Sequence, residues 1–224
     1  PNPNGDVVKQ GPTKEEANST STHKGIVYLD PTDLSKTCNQ ENSISTSETK
    51  TGCMKWYIYN DDNDNYTMIL DHNTTAKIVW NASKNVSYEE SNLYGVVEDL
   101  KTTVGWVVNP RLITADEIAT ITGKTDFDST KANSYYYFDS KSSVLIVAGQ
   151  GSSKYSWLYD YTDGCTTYGC NIADSSTEGY WTSTTVGTSG SGSAVWYVNS
   201  MSSLGINDAY LSDGGIRPVI TIPK

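Results

Sequence analysis

Basic residues are scarce in this chain: 16 Lys and Arg stand against 26 Asp and Glu, which gives a formal net charge of −10 and a pI of about 4.6. Such a chain repels phosphate backbones, and no Lys/Arg cluster breaks the trend, so nucleic acid is not an expected partner. Long hydrophobic runs are also missing. The longest, "SSVLIVAG" from Ser142 to Gly149, falls far short of the roughly 18 residues that mark a spanning helix. A membrane is therefore expected to matter only through an anchor upstream of this sequence. Histidine occurs only as His23 and His72, both far from the cysteines, and "CTTYGC" lacks the CxxC spacing of a zinc site. No Gly-x-Ser-x-Gly elbow accompanies Asp71-His72, so that pair and the many serines do not make a recognisable triad. No repeat of roughly 20 to 50 residues argues for a solenoid or propeller.

The four cysteines come as two sequence-local pairs, Cys38 with Cys53 and Cys165 with Cys170. Three connectivities are possible, and the spacing favours the local one, two loop staples. Closing the longer loop would contribute about 3 kcal/mol in the chain-entropy model. Such bonds persist in oxidising compartments, so the chain reads as extracellular, either secreted or attached to a cell surface.

Residues 1–24 have no apolar periodicity and are rich in Pro, Gly, Asn and Ser, as in a linker or arm; 25–224 form one domain of ample size for a packed core. "GIVYL" at Gly25 to Leu29 predicts a strand, and Asp30 to Gly52 a polar loop. Trp56 to Tyr59 and Tyr66 to Leu70, around a cluster of Asn and Asp, predict a hairpin, with "AKIVW" at Ala76 to Trp80 as a third strand beside it. In the turn, Asn60, Asp62, Asp64 and Asp71 have EF-hand offsets. The central Gly is missing and the flanks read as strands, so a solvated turn is expected.

Two helices are announced by caps. Ser87 with Glu90 opens one over Tyr88 to Thr103, with Leu93, Val97, Leu100 and Val104 along its buried face and Glu89, Glu90, Glu98 and Asp99 on its wet one. Thr114 with Glu117 opens the other, which buries Ile118 and Ile121 and stops at Gly123. Short β runs follow: "YYYFD", "SVLIVAG", "YSWLYDY", "VWYVNS" and "IRPVITI". Together these elements predict an α+β domain.

The C-terminal portion carries "GYWTST" at Gly179 to Thr184, "AVWYVNS" at Ala194 to Ser200, "SLGIND" and the closing "GGIRPVITI". It resembles the C-type-lectin-like domains of secreted bacterial surface proteins, and from Lys55 onward the chain is similar to secreted proteins of gut Firmicutes with this ending. The resemblance implies a C-type-lectin-like fold in which two helices flank small antiparallel sheets and a loop-rich second half sits on top. In that arrangement Trp181 and Trp196 fill the core and "TTVGTSGSG" between them is an exposed loop. The Glu-Pro-Asn, Gln-Pro-Asp and Trp-Asn-Asp triplets of calcium-dependent lectins are absent, so neither a metal nor a cofactor is expected.

The 16 tyrosines exceed what one small core should absorb, so some are expected at the surface, where Tyr offers contact area at low entropic cost. The candidate ligand-binding residues are Tyr161 and Tyr168 in "DYTDGCTTYGCN", Tyr197 and Asn199 in "VWYVNS", and Asn207, Asp208 and Tyr210 in "SLGINDAYLSDGG". No constellation combines nucleophile, base and orienting group, so no catalytic residue is expected and the chain does not read as an enzyme. It reads as a secreted or surface binding and adhesion module that recognises a host or microbial glycan or protein. Two alternatives are a variable receptor of the kind diversified by retroelements, with Tyr197, Asn199, Ser200, Asn207, Asp208, Tyr210 and Ser212 as variable positions, and a pilin or surface-layer subunit.

Overall fold

The computed structural model describes residues 22–30, 33–37, 54–75, 77–83, 87–102, 108–131, 136–137, 154–159, 179–186, 194–199 and 202–224. The first sheet has the order β2-β1-β3-β4-β11-β5, formed by β1 (Gly25–Asp30), β2 (Asp33–Thr37), β3 (Met54–Asp61), β4 (Asn65–Leu70), β5 (Arg111–Leu112) and β11 (Pro218–Pro223). The second has the order β10-β7-β8-β9-β6, formed by β6 (Tyr136–Tyr137), β7 (Gly179–Thr185), β8 (Ala194–Asn199), β9 (Ser203–Asp208) and β10 (Gly214–Gly215). The helices are α1 (Asn92–Thr102), α2 (Ala115–Ile121) and α3 (Ser156–Tyr159).

This is not the α+β, C-type-lectin-like layout that the sequence suggested. Among the described residues strand far exceeds helix, one of the two sheets curls into a half-barrel, and the three helices are short rather than a flanking pair. The physical reason lies in how both sheets are buried. In the first sheet Trp56 and Ile58, Met68 and Leu70, and Ile220 and Ile222 face one core, closed by Leu100 of α1. The alternate residues Tyr57, Ile69 and Val219 face a second core that they share with Trp196, Val198 and Leu204 of the other sheet and with α2 and α3. The far side of the second sheet, with Trp181, Val195 and Tyr197, packs on Trp80 and on Leu93 and Val97 of α1. Strand faces therefore cover one another, and the helices plug gaps between them.

Several elements match the sequence pattern. The β3–β4 hairpin forms around an Asx turn in which Asp62 Oδ1 accepts from the backbone N–H groups of Asp64 and Asn65, at 2.9 and 2.6 Å. Thr114 and Glu117 close a reciprocal capping box on α2, and Gly123 takes φ +68° beyond its end. Trp181 and Trp196 lie on strands and are fully buried.

Other elements differ. The polar loop from Asp30 contains β2, an edge strand that pairs with β1 through backbone bonds that need no apolar alternation. "AKIVW" is not the third strand of the meander, because β11 occupies that slot, with Val219 opposite Ile69 and Pro223 opposite Asn65. Residues 77–80 instead run irregularly past the second sheet, where Trp181 Nε1 donates to the Ile78 carbonyl at 2.8 Å and Trp80 Nε1 to that of Thr182 at 3.1 Å. Helix α1 starts later than expected, since Ser91 rather than Ser87 accepts from the backbone of Tyr94 at 3.1 Å. "YSWLYDY" supplies one helical turn, α3, which buries Trp157 and Leu158; a short apolar run does not distinguish strand from helix. "SVLIVAG", the tract 187–193, residues 1–21 and all four cysteines lie outside the described residues. Among the described residues no helix is long and apolar enough to cross a membrane.

Candidate functional site

One irregularity in the first sheet prepares a site. In the β3–β4 register Ile58 pairs with Met68, but Asn60 pairs with Thr67, so Tyr59 is an extra residue, a β-bulge. In a regular strand Tyr59 and Asn60 would point to opposite faces. The bulge lets both line one cleft, together with Thr67 from the neighbouring strand. The remaining lining comes from Asp116, Glu117, Thr120 and Ile121 of α2 and from Thr22 and Lys24, the segment that enters β1. The cleft encloses about 520 Å³, within the range of small-molecule sites.

Its frame is locked by charge-assisted hydrogen bonds. Arg111 Nη1 donates to Glu117 Oε2 at 2.8 Å and Nη2 to Oε1 at 2.6 Å, a bidentate pair. The Tyr59 hydroxyl donates to Glu117 Oε1 at 2.8 Å, and the Thr114 backbone N–H donates to Oε2 at 2.9 Å. Burial raises the Glu117 pKa, but the Arg111 guanidinium and the Thr114 N–H more than offset it and hold the carboxyl below its ordinary range. Burial, and then the Glu117 charge, push the Tyr59 phenol well above its usual value, so it stays a proton donor. The opposite wall is fixed as well. Lys24 N–H donates to the Ile58 carbonyl at 2.7 Å, Trp157 Nε1 donates to Thr22 Oγ1 at 3.0 Å, and His23 packs edge-on against Tyr57 and Trp157 at 5.3 and 5.5 Å.

Against this fixed frame, the side chains of Lys24, Asn60 and Asp116 make no hydrogen bond or ion pair among the described residues. The cleft therefore offers a cation, an amide and a carboxylate with full hydrogen-bonding capacity, next to the Tyr59 ring and Ile121.

Nothing matches this chain. Neither the protein-family comparison, nor the curated proteins, nor the solved structures yielded a relative.

Of the candidate residues read from the sequence, those among the described residues do not assemble into one site. Tyr161 and Tyr168 lie outside the described residues. Tyr197 is buried, with its ring 5.8 Å from that of Trp181, and its hydroxyl accepts from Asn199 Nδ2 at 2.8 Å, so both face the core. Asn207, Asp208 and Tyr210 do stand together: Asn207 Nδ2 donates to Asp213 Oδ2 at 2.7 Å, and Tyr210 Oη to Asp208 Oδ2 at 2.8 Å. Tyr210 is 43% exposed, but Asp208 and Asn199 occupy opposite ends of the β8–β9 ladder. Sequence reasoning missed the cleft because its cue, an odd residue in a strand, becomes visible only once the partner strand is known.

Asp71 and His72 also form a pair, with His72 Nδ1 2.7 Å from Asp71 Oδ2 and Lys55 Nζ 3.4 Å from Oδ1. Burial lowers the Lys55 pKa, but Asp71 together with the Tyr57 and Tyr28 hydroxyls more than offsets it, so the ammonium is held charged. Asn73, Thr74 and Thr75 then join the sheets: Asn73 Nδ2 reaches the Gly179 carbonyl at 3.3 Å, Thr74 Oγ1 that of Ile216 at 3.2 Å, and Thr75 Oγ1 accepts from Ile216 N–H at 2.9 Å. The cluster serves as a junction between sheets.

Proposed function

We propose that this chain is a secreted or cell-surface binding and adhesion module that takes a polar ligand in the cleft between β3, β4 and α2. The observation that carries this reading is the contrast within the cleft. Arg111, Glu117 and Tyr59 are bonded to one another, whereas Lys24, Asn60 and Asp116 are uncommitted among the described residues. The fixed frame holds the shape of the cleft, and the uncommitted head groups keep their hydrogen-bonding capacity for a ligand, with their own ordering as the cost of binding. Placement outside the cell is supported by the paired cysteines and the likeness of the C-terminal motifs to those of bacterial surface proteins.

The test is an array of glycans, short peptides and extracellular proteins, probed with and without EDTA. It compares the unmodified protein with Asn60→Ala/Asp116→Ala and, separately, Tyr210→Ala. Binding that is lost in the cleft variant and kept in Tyr210→Ala supports the cleft. The opposite pattern moves recognition to the Asn207–Tyr210 cluster and overturns the assignment.

A further inference from the structure

Resting on that reading, we infer that the cleft's ligand is a zwitterion, a short peptide with both termini free. The groups that line the cleft decide the charge type. Glu117, which lines the cleft, is neutralised by Arg111, which does not, at 2.6 and 2.8 Å, so the pair offers no net charge to a ligand. That leaves Lys24 and Asp116, one charge of each sign, from different elements: Lys24 from the segment entering β1, and Asp116 from α2. A polyanion would meet Asp116 and the chain's overall −10, and a polycation would meet Lys24, so neither charge type suits both groups. A ligand with a carboxylate at one end and an ammonium at the other satisfies both.

The Asn60 amide, turned into the cleft by the bulge at Tyr59, can donate to the ligand's carboxylate or accept from its backbone N–H. Thr67 Oγ1, 3.2 Å from Thr221 Oγ1, and Thr120 Oγ1, which donates to the Asp116 carbonyl at 2.8 Å, keep acceptor capacity for further amide N–H groups. The Tyr59 ring and Ile121 give apolar surface for a ligand side chain. At about 520 Å³ the space exceeds a single amino acid and suits a peptide of a few residues.

The experiment uses the whole chain and isothermal titration with di-, tri- and tetra-alanine, each as the free peptide, the N-acetyl form and the C-amide. The inference expects the free peptides to bind, and either cap to weaken binding about tenfold, equivalent to about 1.4 kcal/mol. Lys24→Gln should abolish the penalty of the C-amide while keeping that of acetylation, and Asp116→Asn should do the reverse. Circular dichroism and urea midpoints check that each variant is folded. If capped and free peptides bind equally, or if uncharged oligosaccharides bind in the cleft and peptides do not, the zwitterion inference is wrong and the binding-module reading stands. If no peptide, glycan or protein binds the folded chain, both are wrong.

Discussion

Arg111 holds both carboxylate oxygens of Glu117, six residues away, while the same carboxylate closes the capping box of α2. One side chain thus fixes a helix start, an edge strand and, through the Tyr59 hydroxyl, the bulge of β3. The mouth of the cleft depends on it.

Glu117→Gln is expected to cost about 1 kcal/mol at neutral pH, in line with a part-exposed ion pair, and Thr114→Ala about 1 kcal/mol through the lost cap. The pH dependence has a definite sign. The folded-state pKa of Glu117 is depressed, so its contribution is present above the unfolded carboxylate pKa of about 4.3 and is lost as pH falls through the folded value. The gap in urea midpoint between the unmodified protein and Glu117→Gln should therefore shrink as pH falls from neutrality toward 3. A gap independent of pH would assign the effect to shape rather than charge.

Arg217 is fully buried, with Nε donating to the Leu70 carbonyl, Nη2 donating to that of Trp157 at 2.6 Å, and the guanidinium 5.3 Å from the Tyr180 ring. It forms no ion pair with a carboxylate among the described residues; carbonyl dipoles solvate it. Arg217→Met removes a charged donor from two buried carbonyls and is expected to cost about 3 to 5 kcal/mol, a large share of an ordinary domain's stability. Arg217→Lys recovers only part of this, because an ammonium cannot span both carbonyls as the planar fork does. Denaturant unfolding of the two variants gives the order directly.

What was legible in the sequence depended on how local the cue was. The capping box at Thr114, the hairpin turn in the Asn/Asp cluster and the strand run from Trp56 to Tyr59 need only neighbours in sequence, and they read correctly. The place of β11 beside β4 joins residues some 150 positions apart, and local pattern cannot show that Val219 rather than Ile78 sits next to Ile69. The tyrosines misled for a related reason. Tyr197 reads as an exposed contact residue in "VWYVNS", yet the second sheet is covered on both faces, so each of the six residues of β8 is buried. Tyr210, beyond the end of β9, is the candidate that does reach solvent.

Gly179 opens the Trp-Thr-Ser-Thr motif with φ +157°, and a Cβ built there would lie 1.8 Å from the Val198 carbonyl oxygen. That carbonyl belongs to β8, the strand paired with β7, so it cannot yield without disrupting the ladder. Gly179→Ala is therefore expected to lower the melting temperature severely or prevent folding, whereas Gly95→Ala, with open space around it, should be neutral or slightly stabilising. Thermal melts of the pair separate backbone crowding from a general loss of glycine.

The ends of β2 and β3 lie on either side of the same residue, since Thr37 and Met54 both pair with Leu29. Cys38 and Cys53, the sequence neighbours of those two residues, lie outside the described residues, and their local pairing is the expectation of the cysteine spacing. Protein prepared under oxidising conditions should show no alkylatable thiol before reduction and four after it, with peptide mapping joining Cys38 to Cys53 and Cys165 to Cys170. Four alkylatable thiols before reduction would remove both staples and, with them, the main compositional reason for placing the chain outside the cell.

Alkaline titration tests how the tyrosines are distributed. Burial raises the phenols of Tyr88 and Tyr180 to about 12, and raises Tyr57 and Tyr59 further, with nearby Asp71 and Glu117 adding to it. A raised phenol favours the neutral form in the folded chain. Its contribution to stability is complete below the unfolded value of about 10 and is lost as pH rises through the folded value. Tyrosinate absorbance of the folded protein should therefore rise in two stages, with these four residues among those that ionise late, whereas all 16 should ionise together near pH 10 in denaturant. Tyr180→Phe keeps the ring beneath Arg217, so it should leave stability at pH 7 within about 1 kcal/mol and remove one late-titrating phenol. A single stage near pH 10 in the folded protein would mean that these rings are open to water, and the buried core shared by the two sheets would have to be redrawn.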